Sequence, residues 1–468
     1  MRAHEQSSLN QNAKRLVAVM GTAAFLVSAV IGNASAQEPG PDPAAASSAA
    51  ATSQSRLSWL LARVLGQDEG LKALQAKLKA AEEKVSVAKA GFFPNVTLTA
   101  NAGREEQDNS KVEPARDDVK ENYTDVQLAL RQPIYDFGRT SGDVRKARRQ
   151  VAKIELELQK AEQQLVMDAL VAYFDYVRLA KRLQYALNSE NNIKAKSGMQ
   201  DTLLQSGAGY RGNQLRAKKE LVEARMDRVE IESDVNAAAY RYKHIFGVDP
   251  TPAVVKSYEV VNPALLPKSI DQATRRALEQ NPEMQLARME LYQAQDDVRV
   301  ATANMLPTLE AVASKNMLKN VDGYIGKRSE TLLYAGLKMP LFAGFANVSN
   351  RSSAEHAVTQ ASHRVAEAER KITKQVNDTW IQIEAKNNQM RLMQNHAEII
   401  GELLRYVRQQ QSSGASTDLD VVDVETDFIN AVSDAISAET EAVLKVFELA
   451  GIMGDLQAAN ISNLLSVR

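Results

Sequence analysis

Residues 132–139 read QPIYDFGR, and the run MPLF occupies residues 339–342. The second run lies 207 positions after the first, and each is followed by a long stretch without proline. Further residue pairs keep the same spacing: Pro133 and Pro340, Gly207 and Gly414, and Gly247 and Gly454. Self-similarity at a constant spacing is the sign of a duplicated structural unit. The sequence therefore predicts that the chain folds as two copies of one unit.

The spacing changes upstream of these residues. Pro94 matches Pro307 at a distance of 213 residues, so the first unit holds six more residues between its two prolines than the second. Surface loops tolerate such changes in length. We therefore expect a loop between the two prolines of each unit, over residues 104–121 in the first and 315–329 in the second.

Two tracts predict very long helices. Proline, which is costly inside a helix, is absent from residues 134–249 and from residues 341–468. In the first tract, apolar residues recur every three or four positions, as on one face of a helix: Ile154, Leu158, Ala161, Leu165, Ala169, Ala172, Tyr176, Leu179 and Leu183. A helix from Gly138 to Gly207 would be roughly 100 Å long. We interpret the glycines near 207 and 414 as the tips of helical hairpins.

Between the prolines, apolar residues alternate with polar ones, which is typical of a strand with one apolar face. The alternating residues are Val96, Leu98 and Ala100; Val126, Leu128 and Leu130; Leu309, Ala311 and Ala313; and Leu333, Ala335 and Leu337. We expect strands at about 94–104, 122–132, 307–316 and 330–339, each close to the roughly 9–11 residues of a tilted membrane-spanning strand. Each unit is then helix, strand, loop, strand, long helix, tip and long helix.

The N-terminus predicts a processing segment. Lys14 and Arg15 precede an apolar run of 16 residues, and the small residues 34–36 follow as a cleavage site. We expect a signal peptide over residues 1–36 and a disordered Pro/Ala/Ser-rich linker over residues 37–55. The two structural units then cover residues 56–260 and 261–468. No later run reaches 18 apolar residues, so a mature chain that enters a membrane would do so as a closed β-barrel.

Composition and charge argue against several functions. The 57 basic and 58 acidic residues leave no excess positive charge for nucleic acid. With no cysteine in the chain, no disulfide and no thiolate metal site can form. His356 and His363 would be two helical turns apart, roughly 10 Å, which is too far to share one metal ion. Since a nucleotide-binding glycine motif is also missing, we expect no enzyme and no cofactor, and a partner that supplies energy.

The duplicated order resembles the TolC-like outer-membrane factor family. The residues that carry the resemblance are Gln132 to Arg139, Met339 to Phe342, Asn281-Pro282 with the Ala-rich helix up to Pro307, and Gly414 with the run from Asp418 to Asp423. It implies a mainly α-helical protein with transmembrane β-strands. Three copies would form a twelve-stranded β-barrel in the outer membrane and a long coiled-coil tunnel in the periplasm. The implied partners are a periplasmic adaptor, an inner-membrane transporter driven by ATP or by protons, and outer-membrane lipid.

The resemblance also assigns an entrance. Two acidic residues ring the narrow periplasmic end in the family, and they match Asp420 and Asp423, while the first-unit counterpart of Asp420 is Asn213. A solvated helix N-terminus is the alternative role for these acids. The residues that lock the closed entrance in the family fall at Gln411 and Ser416, so this gate would be held in another way or less tightly.

Two further sets of residues follow from the resemblance. The helical tips, where we expect the adaptor to dock, are Gly207, Gly209, Tyr210, Arg211, Gly414 and Ser416. The strand–helix junctions are Pro94, Pro133, Pro307 and Pro340. Beside them, Phe92, Phe93, Tyr135 and Phe342 would either form aromatic girdles at the membrane surface or cap the helical core.

The sequence does not decide which cargo the channel carries. The absence of a lipid-anchor cysteine and the motif from Tyr135 to Arg139 resemble members that secrete proteins by the type I route, so protein secretion is our first hypothesis. Small-molecule efflux is the alternative within the family. A structural coiled-coil protein would not need duplicated amphipathic strand pairs, and a compact α+β domain could not bury helices of roughly 100 Å.

Overall fold

The structure, a computed structural model, describes residues 56–107, 119–251, 254–255, 259–261, 267–456 and 465–467. The predicted signal peptide and linker lie outside the described residues. In chain order the elements are α1 (Arg56–Gln67), α2 (Glu69–Ala90), β1 (Asn95–Gln107), β2 (Val119–Tyr135), α3 (Arg139–Gln205), α4 (Arg211–Phe246), β3 (Glu259–Val261), α5 (Ile270–Gln280), α6 (Pro282–Ala303), β4 (Thr308–Lys319), β5 (Lys327–Lys338), α7 (Ala346–Ser412), α8 (Asp418–Ile452) and β6 (Leu465–Val467).

The duplication is visible in the element bounds. The long helices α3 and α7 have 67 residues each, and both bounds of α7 lie 207 positions after those of α3. At 1.5 Å per residue each helix is about 100 Å long. The shorter partner helices α4 and α8 have 36 and 35 residues. Such helices rule out the compact α+β domain.

The four long strands form one antiparallel sheet in the order β1-β2-β4-β5. Val96 lies opposite Leu130, Leu130 opposite Ala313, and Ala313 opposite Leu333. Because residues directly opposite each other share a face, the predicted apolar residues of all four strands make one continuous apolar face. The strands are longer than expected at the loop end, since β1 continues to Gln107 and β5 begins at Lys327.

A second, two-stranded sheet was not predicted. The three-residue strands β3 and β6 pair antiparallel, with Glu259 opposite Val467. The backbone of the C-terminal segment is thereby attached to the connection between the two units. Neither strand is long enough to show a period in the sequence.

The largest hydrophobic core joins helices of both units. Tyr173 and Phe174 on α3 are fully buried, and the Phe174 ring lies 5.9 Å from that of Phe447 on α8. Phe246, near the end of α4, belongs to the same cluster. Nearby, a Cβ added to Gly454 would lie 2.6 Å from the carbonyl oxygen of Gln280. The α8 terminus therefore packs on α5 at a distance that only glycine allows.

One buried carboxylate links α3 and α6 next to the sheet. The Asp296 side chain is 0% exposed and pairs with Arg145, Arg149 and Arg299. Burial by itself raises the pKa of Asp296, but hydrogen bonds and charge from Arg149 and Arg145 outweigh burial and lower this pKa below its ordinary value. Asp296 is therefore charged at neutral pH, and its ion pairs stabilise the junction of the two units.

We expect Asp296→Asn to lower the free energy of unfolding at pH 7 by about 2–3 kcal/mol, because the arginines lose a buried partner. The difference from the wild type should narrow as the pH falls below about 4, where Asp296 takes up a proton in the unfolded chain, and should vanish below the lowered pKa of the folded carboxylate. Thermal unfolding of the purified protein, followed by circular dichroism over this pH range, measures both effects.

The neighbouring residue provides a matched control. Asp297 pairs with Lys146 at 2.6 Å, and both side chains are about half exposed. Asp297→Asn should cost less than about 1 kcal/mol, as exposed ion pairs do. Equal destabilisation by the two substitutions would contradict a special role for the buried carboxylate.

Candidate functional site

The two hairpin tips have the same backbone geometry. At the end of α3, the Ala208 and Gly207 amides donate to the carbonyls of Leu203 and Leu204. At the end of α7, Ala415 and Gly414 donate to Gln410 and Gln411 in the same pattern, with φ of +78° at Gly207 and +79° at Gly414. This is the Schellman termination, whose left-handed residue favours glycine. Both tips are therefore built by the local sequence.

Asp420 caps the second tip. Thr417 precedes α8, and its backbone N–H donates to Asp420 Oδ2 at 2.8 Å while Asp420 N–H donates to Thr417 Oγ1 at 3.3 Å. The Ser416 hydroxyl donates to the same carboxylate at 3.2 Å. The hydrogen bonds from Thr417 lower the pKa of Asp420. This reciprocal arrangement is a capping box, so Asp420 is an exposed carboxylate that is charged at neutral pH and held in one orientation.

Asp423 has a partner on the other hairpin. Lys196 on α3, whose side chain is 13% exposed, pairs with Asp423 on α8 and, at 2.9 Å, with Glu220 on α4. Burial alone lowers the pKa of Lys196, but its hydrogen bonds to Asp423 and Glu220 outweigh burial and raise it. Lys196 thus ties the predicted entrance residue to both helices of the first hairpin. No sequence signal pointed to Lys196, because the pair spans 227 residues.

The first tip differs from the second. Tyr210 precedes α4 without capping it through its side chain, and the Tyr210 ring is 78% exposed. Asn213 and Arg211 are exposed on the first turn of α4. A Cβ at Gly209 would come within 2.8 Å of the Leu204 backbone nitrogen, so this tip requires glycine for close packing. The first tip therefore presents an aromatic ring and a cation, where the second presents carboxylates.

Three of the four predicted junction prolines lie between a helix and a strand. Pro94 and Pro307 precede β1 and β4, and Pro340 follows β5. Pro133 differs, because it lies inside β2 at a shift of register. The turn of the first unit is made by Asp136, whose carboxylate accepts from the amides of Gly138 at 3.1 Å and Thr140 at 2.7 Å.

Aromatic residues at these junctions are exposed. Phe92, Phe93, Tyr135 and Phe342 have between 49% and 76% of their surface accessible. Tyr135 packs edge-on against Phe137 at 4.7 Å, and Phe342 against Phe345 at 5.4 Å. Within one chain these rings do not cap the helical core.

The described residues offer no metal cluster of three or more His, Cys, Asp or Glu side chains. Among them, no helix combines the length and the apolar character needed to cross a membrane. The chemistry that the tips offer is electrostatic: fixed carboxylates on α8, and the Arg211 cation on α4 next to the Tyr210 ring.

Comparison with known proteins gives relatives along most of the chain. The outer membrane efflux protein BepC of Brucella suis is 24% identical over 409 residues, which are 86% of this chain and 86% of the relative. The alkaline protease secretion protein AprF of Pseudomonas aeruginosa is 22% identical over 409 residues, 85% of this chain and 84% of that protein. The solved outer membrane protein VceC of Vibrio cholerae matches with a TM-score of 0.70 at 16% identity, covering 86% of this chain and 96% of that one.

The family model for outer membrane efflux proteins matches residues 60–247 and 273–455, one segment in each predicted unit. The structural match confirms the expected TolC-like fold, and the family model confirms the outer-membrane location. The chain belongs to the outer membrane efflux protein family, the TolC-like channels of the outer membrane.

Proposed function

We propose that three copies of this chain form one channel through the outer membrane and that this channel carries protein cargo out of the cell. The observation that carries the proposal is that one chain has unpartnered edges in both its sheet and its helical layer. These edges complement each other, so that further copies of the chain can satisfy both at once.

The sheet has two open edges. Among the described strands, β1 pairs only with β2, and β5 only with β4. An unpaired edge in lipid leaves backbone polar groups without partners, and the smallest membrane barrels have eight strands. The strands β5 of one copy and β1 of the next would run antiparallel, as the other pairs do. Three copies would supply twelve strands.

Among the described helices, the helical layer also has two edges without a partner. Its long helices pack in the order α4, α3, α8 and α7. The two edge helices each carry an exposed apolar stripe with spacings of seven, four and three residues: Leu215, Val222, Met226 and Val229 on α4, and Leu392, Ile399, Leu403 and Tyr406 on α7. This spacing is that of a coiled-coil seam. In both helices the stripe lies next to the hairpin tip.

The two stripes lie at similar distances from the hairpin tips. Lys196 brings Glu220 on α4 level with Asp423 on α8, and Arg408 on α7 pairs with Glu425 on α8 at 3.1 Å. Since α4 leads away from its tip and α7 leads toward its own, α4 of one copy and α7 of the next would pack antiparallel with Val222 close to Tyr406. In the proposed trimer, the rotation that places β1 beside β5 would also bring these two stripes together.

Cysteine cross-linking tests this packing, because the natural chain has no cysteine. We expect the pair Val222→Cys and Tyr406→Cys to give dimers and trimers in membranes treated with a short bis-maleimide. The control pair is Val222→Cys with Glu398→Cys, because Glu398 is also exposed on α7 but lies outside the stripe. The protein with this control pair should stay monomeric after the treatment. Cross-linking by both pairs, or by neither in a protein that forms channels, would contradict the assigned seam.

In the trimer, we propose that Asp420 and Asp423 line the periplasmic entrance. Three copies would place six carboxylates there, and such a ring favours cations. Asp420→Asn with Asp423→Asn should abolish block of the channel by multivalent cations in planar bilayers. Asparagine is chosen because it preserves helix capping while removing the charge.

The control removes one acid further along the same helix, by Asp434→Asn, an exposed position about 16 Å from Asp423 at 1.5 Å per residue. This change should leave the block within about twofold of the wild type, because charges separated by more than about 10 Å are screened by salt. Unchanged block in the Asp420 and Asp423 variant would remove the entrance assignment.

The partners follow from the proposed channel. The tips would dock a periplasmic adaptor through Gly207, Gly209, Tyr210 and Arg211 in the first unit and Gly414 and Ser416 in the second. An inner-membrane transporter would supply the energy, since the chain has no nucleotide-binding motif. The strand residues Thr97, Thr99, Gln127 and Arg131 would face the water-filled lumen, because they lie on the face opposite the apolar one.

Protein cargo is favoured by the similarity to AprF, whose name describes secretion of an alkaline protease. Efflux of small molecules is the second candidate, favoured by the similarity to the efflux protein BepC. The deciding experiment compares the proteins in the culture medium of the source cell with and without this gene. Loss of one or a few large proteins is the expected result, whereas an unchanged medium with raised drug sensitivity would establish efflux instead.

A further inference from the structure

The apolar face of the sheet ends in a group of cations at the loop end of the strands. Register places five basic residues on the same face as Val96, Leu128 and Leu333. Four of them lie nearer the loops than the apolar residues of their own strand, and the fifth, on β4, lies between Ala313 and Met317. These five, which we name the basic belt, are Arg104, Lys120, Lys315, Lys319 and Lys327. Their side chains are all exposed.

The basic belt is poorly neutralised within the chain. Lys120 pairs with Glu106, the one acidic residue on this face among the described strand residues. The other four cations make no ion pair with any described residue. Lys319 and Lys327 lie directly opposite each other on β4 and β5. Like charges at such positions, with Cβ atoms about 5 Å apart, destabilise a sheet, unless an anion lies between them.

The opposite face of the same strands carries the acids. Glu105 accepts the backbone amides of Asp322 and Gly323 at 3.1 and 3.2 Å, and Glu330 pairs with Arg328 at 3.0 Å. Asp125, on this face as well, lies 3.5 Å from the Asn101 amide nitrogen. Most acids thus lie on one face and most cations on the other. The acids named above have partners, whereas four of the five cations of the basic belt make no ion pair with any described residue.

We propose that the basic belt binds the phosphate groups of lipopolysaccharide, the anionic glycolipid of the outer leaflet. This inference rests on the proposed channel, in which the apolar face meets lipid and the loops lie outside the cell. Lysine and arginine stems lie along apolar surface while their charged ends reach the headgroups. Clusters of such residues beside a membrane recognise anionic lipids. A phosphate between Lys319 and Lys327 removes their mutual repulsion.

The test uses the full protein purified from outer membranes and bisphosphorylated lipid A as the probe, with bound lipid counted by native mass spectrometry. We expect K315Q/K319Q/K327Q to lose roughly 100-fold in affinity at low salt, since each cation near a lipid surface contributes about 1 kcal/mol. The charge-preserving variant K315R/K319R/K327R should bind like the wild type. If the triple glutamine variant does not fold, Lys319→Gln alone should lose about fivefold.

The matched control, K160Q/K194Q/K268Q, removes three lysines outside the sheet that are exposed and unpaired among the described residues, and it should bind lipid A normally. Unchanged lipid A binding by K315Q/K319Q/K327Q would overturn the proposal. An equal loss of binding to phosphatidylglycerol would also overturn the proposal, because the site would then bind any anionic lipid without preference for lipid A. Conductance of the same preparations in planar bilayers tests the proposed channel separately, since none of the three triple variants should alter the conductance.

Discussion

A helix of 67 residues, about 100 Å long, needs neighbours along its whole length, and one chain supplies too few of them. Three of the four long helices, α3, α4 and α8, pack around aromatic residues near Phe174 and Phe447, and α7 packs on α8. Away from that core, the edge helices α4 and α7 keep apolar stripes in water. Burying these stripes is favourable in proportion to their area, and this constraint underlies the proposed trimer.

A second constraint acts at the junction between the helices and the sheet, because the two duplicated units must be held in a fixed position relative to each other there. Asp296, whose own side chain has no access to water, meets this need by bringing the half-exposed arginines of α3 to α6. Removing one partner from such a cluster is costly even where forming it gains little net free energy. Gly454 acts similarly by steric means, since its contact with Gln280 leaves no room for a side chain.

Charge is distributed unequally between the two ends of the molecule. At the tips, carboxylates are held by specific donors: Asp420 by Thr417, and Asp423 by Lys196. At the loop end of the sheet, most acids occupy one face and most cations the other. In the proposed channel both arrangements place negative charge toward the lumen, while the basic belt faces the lipid. The lumen would thus be bordered by carboxylates at both ends.

Sequence alone determined the duplication, the long helices, the glycine tips and the apolar face of each strand. These features depend on proline placement and on periods of 3.6 and 2, which act between residues close together in the chain. The carboxylate ring was suggested only by the family resemblance, and its place in a pore is still a prediction. A local role for Asp420 at the start of a helix was predicted from the sequence, because a carboxylate is favourable at a helix N-terminus.

Tertiary structure alone decided the partners of these elements. Four features depend on segments that no local pattern relates. They are the pairing of Lys196 with Asp423, the arginines around Asp296, the sheet of β3 and β6, and the position of Pro133 inside β2. The strand faces could be read from alternation, but the register that aligns Lys319 with Lys327 could not. The physical reason is that such contacts depend on which helices and strands lie side by side, and packing of the whole chain sets that arrangement.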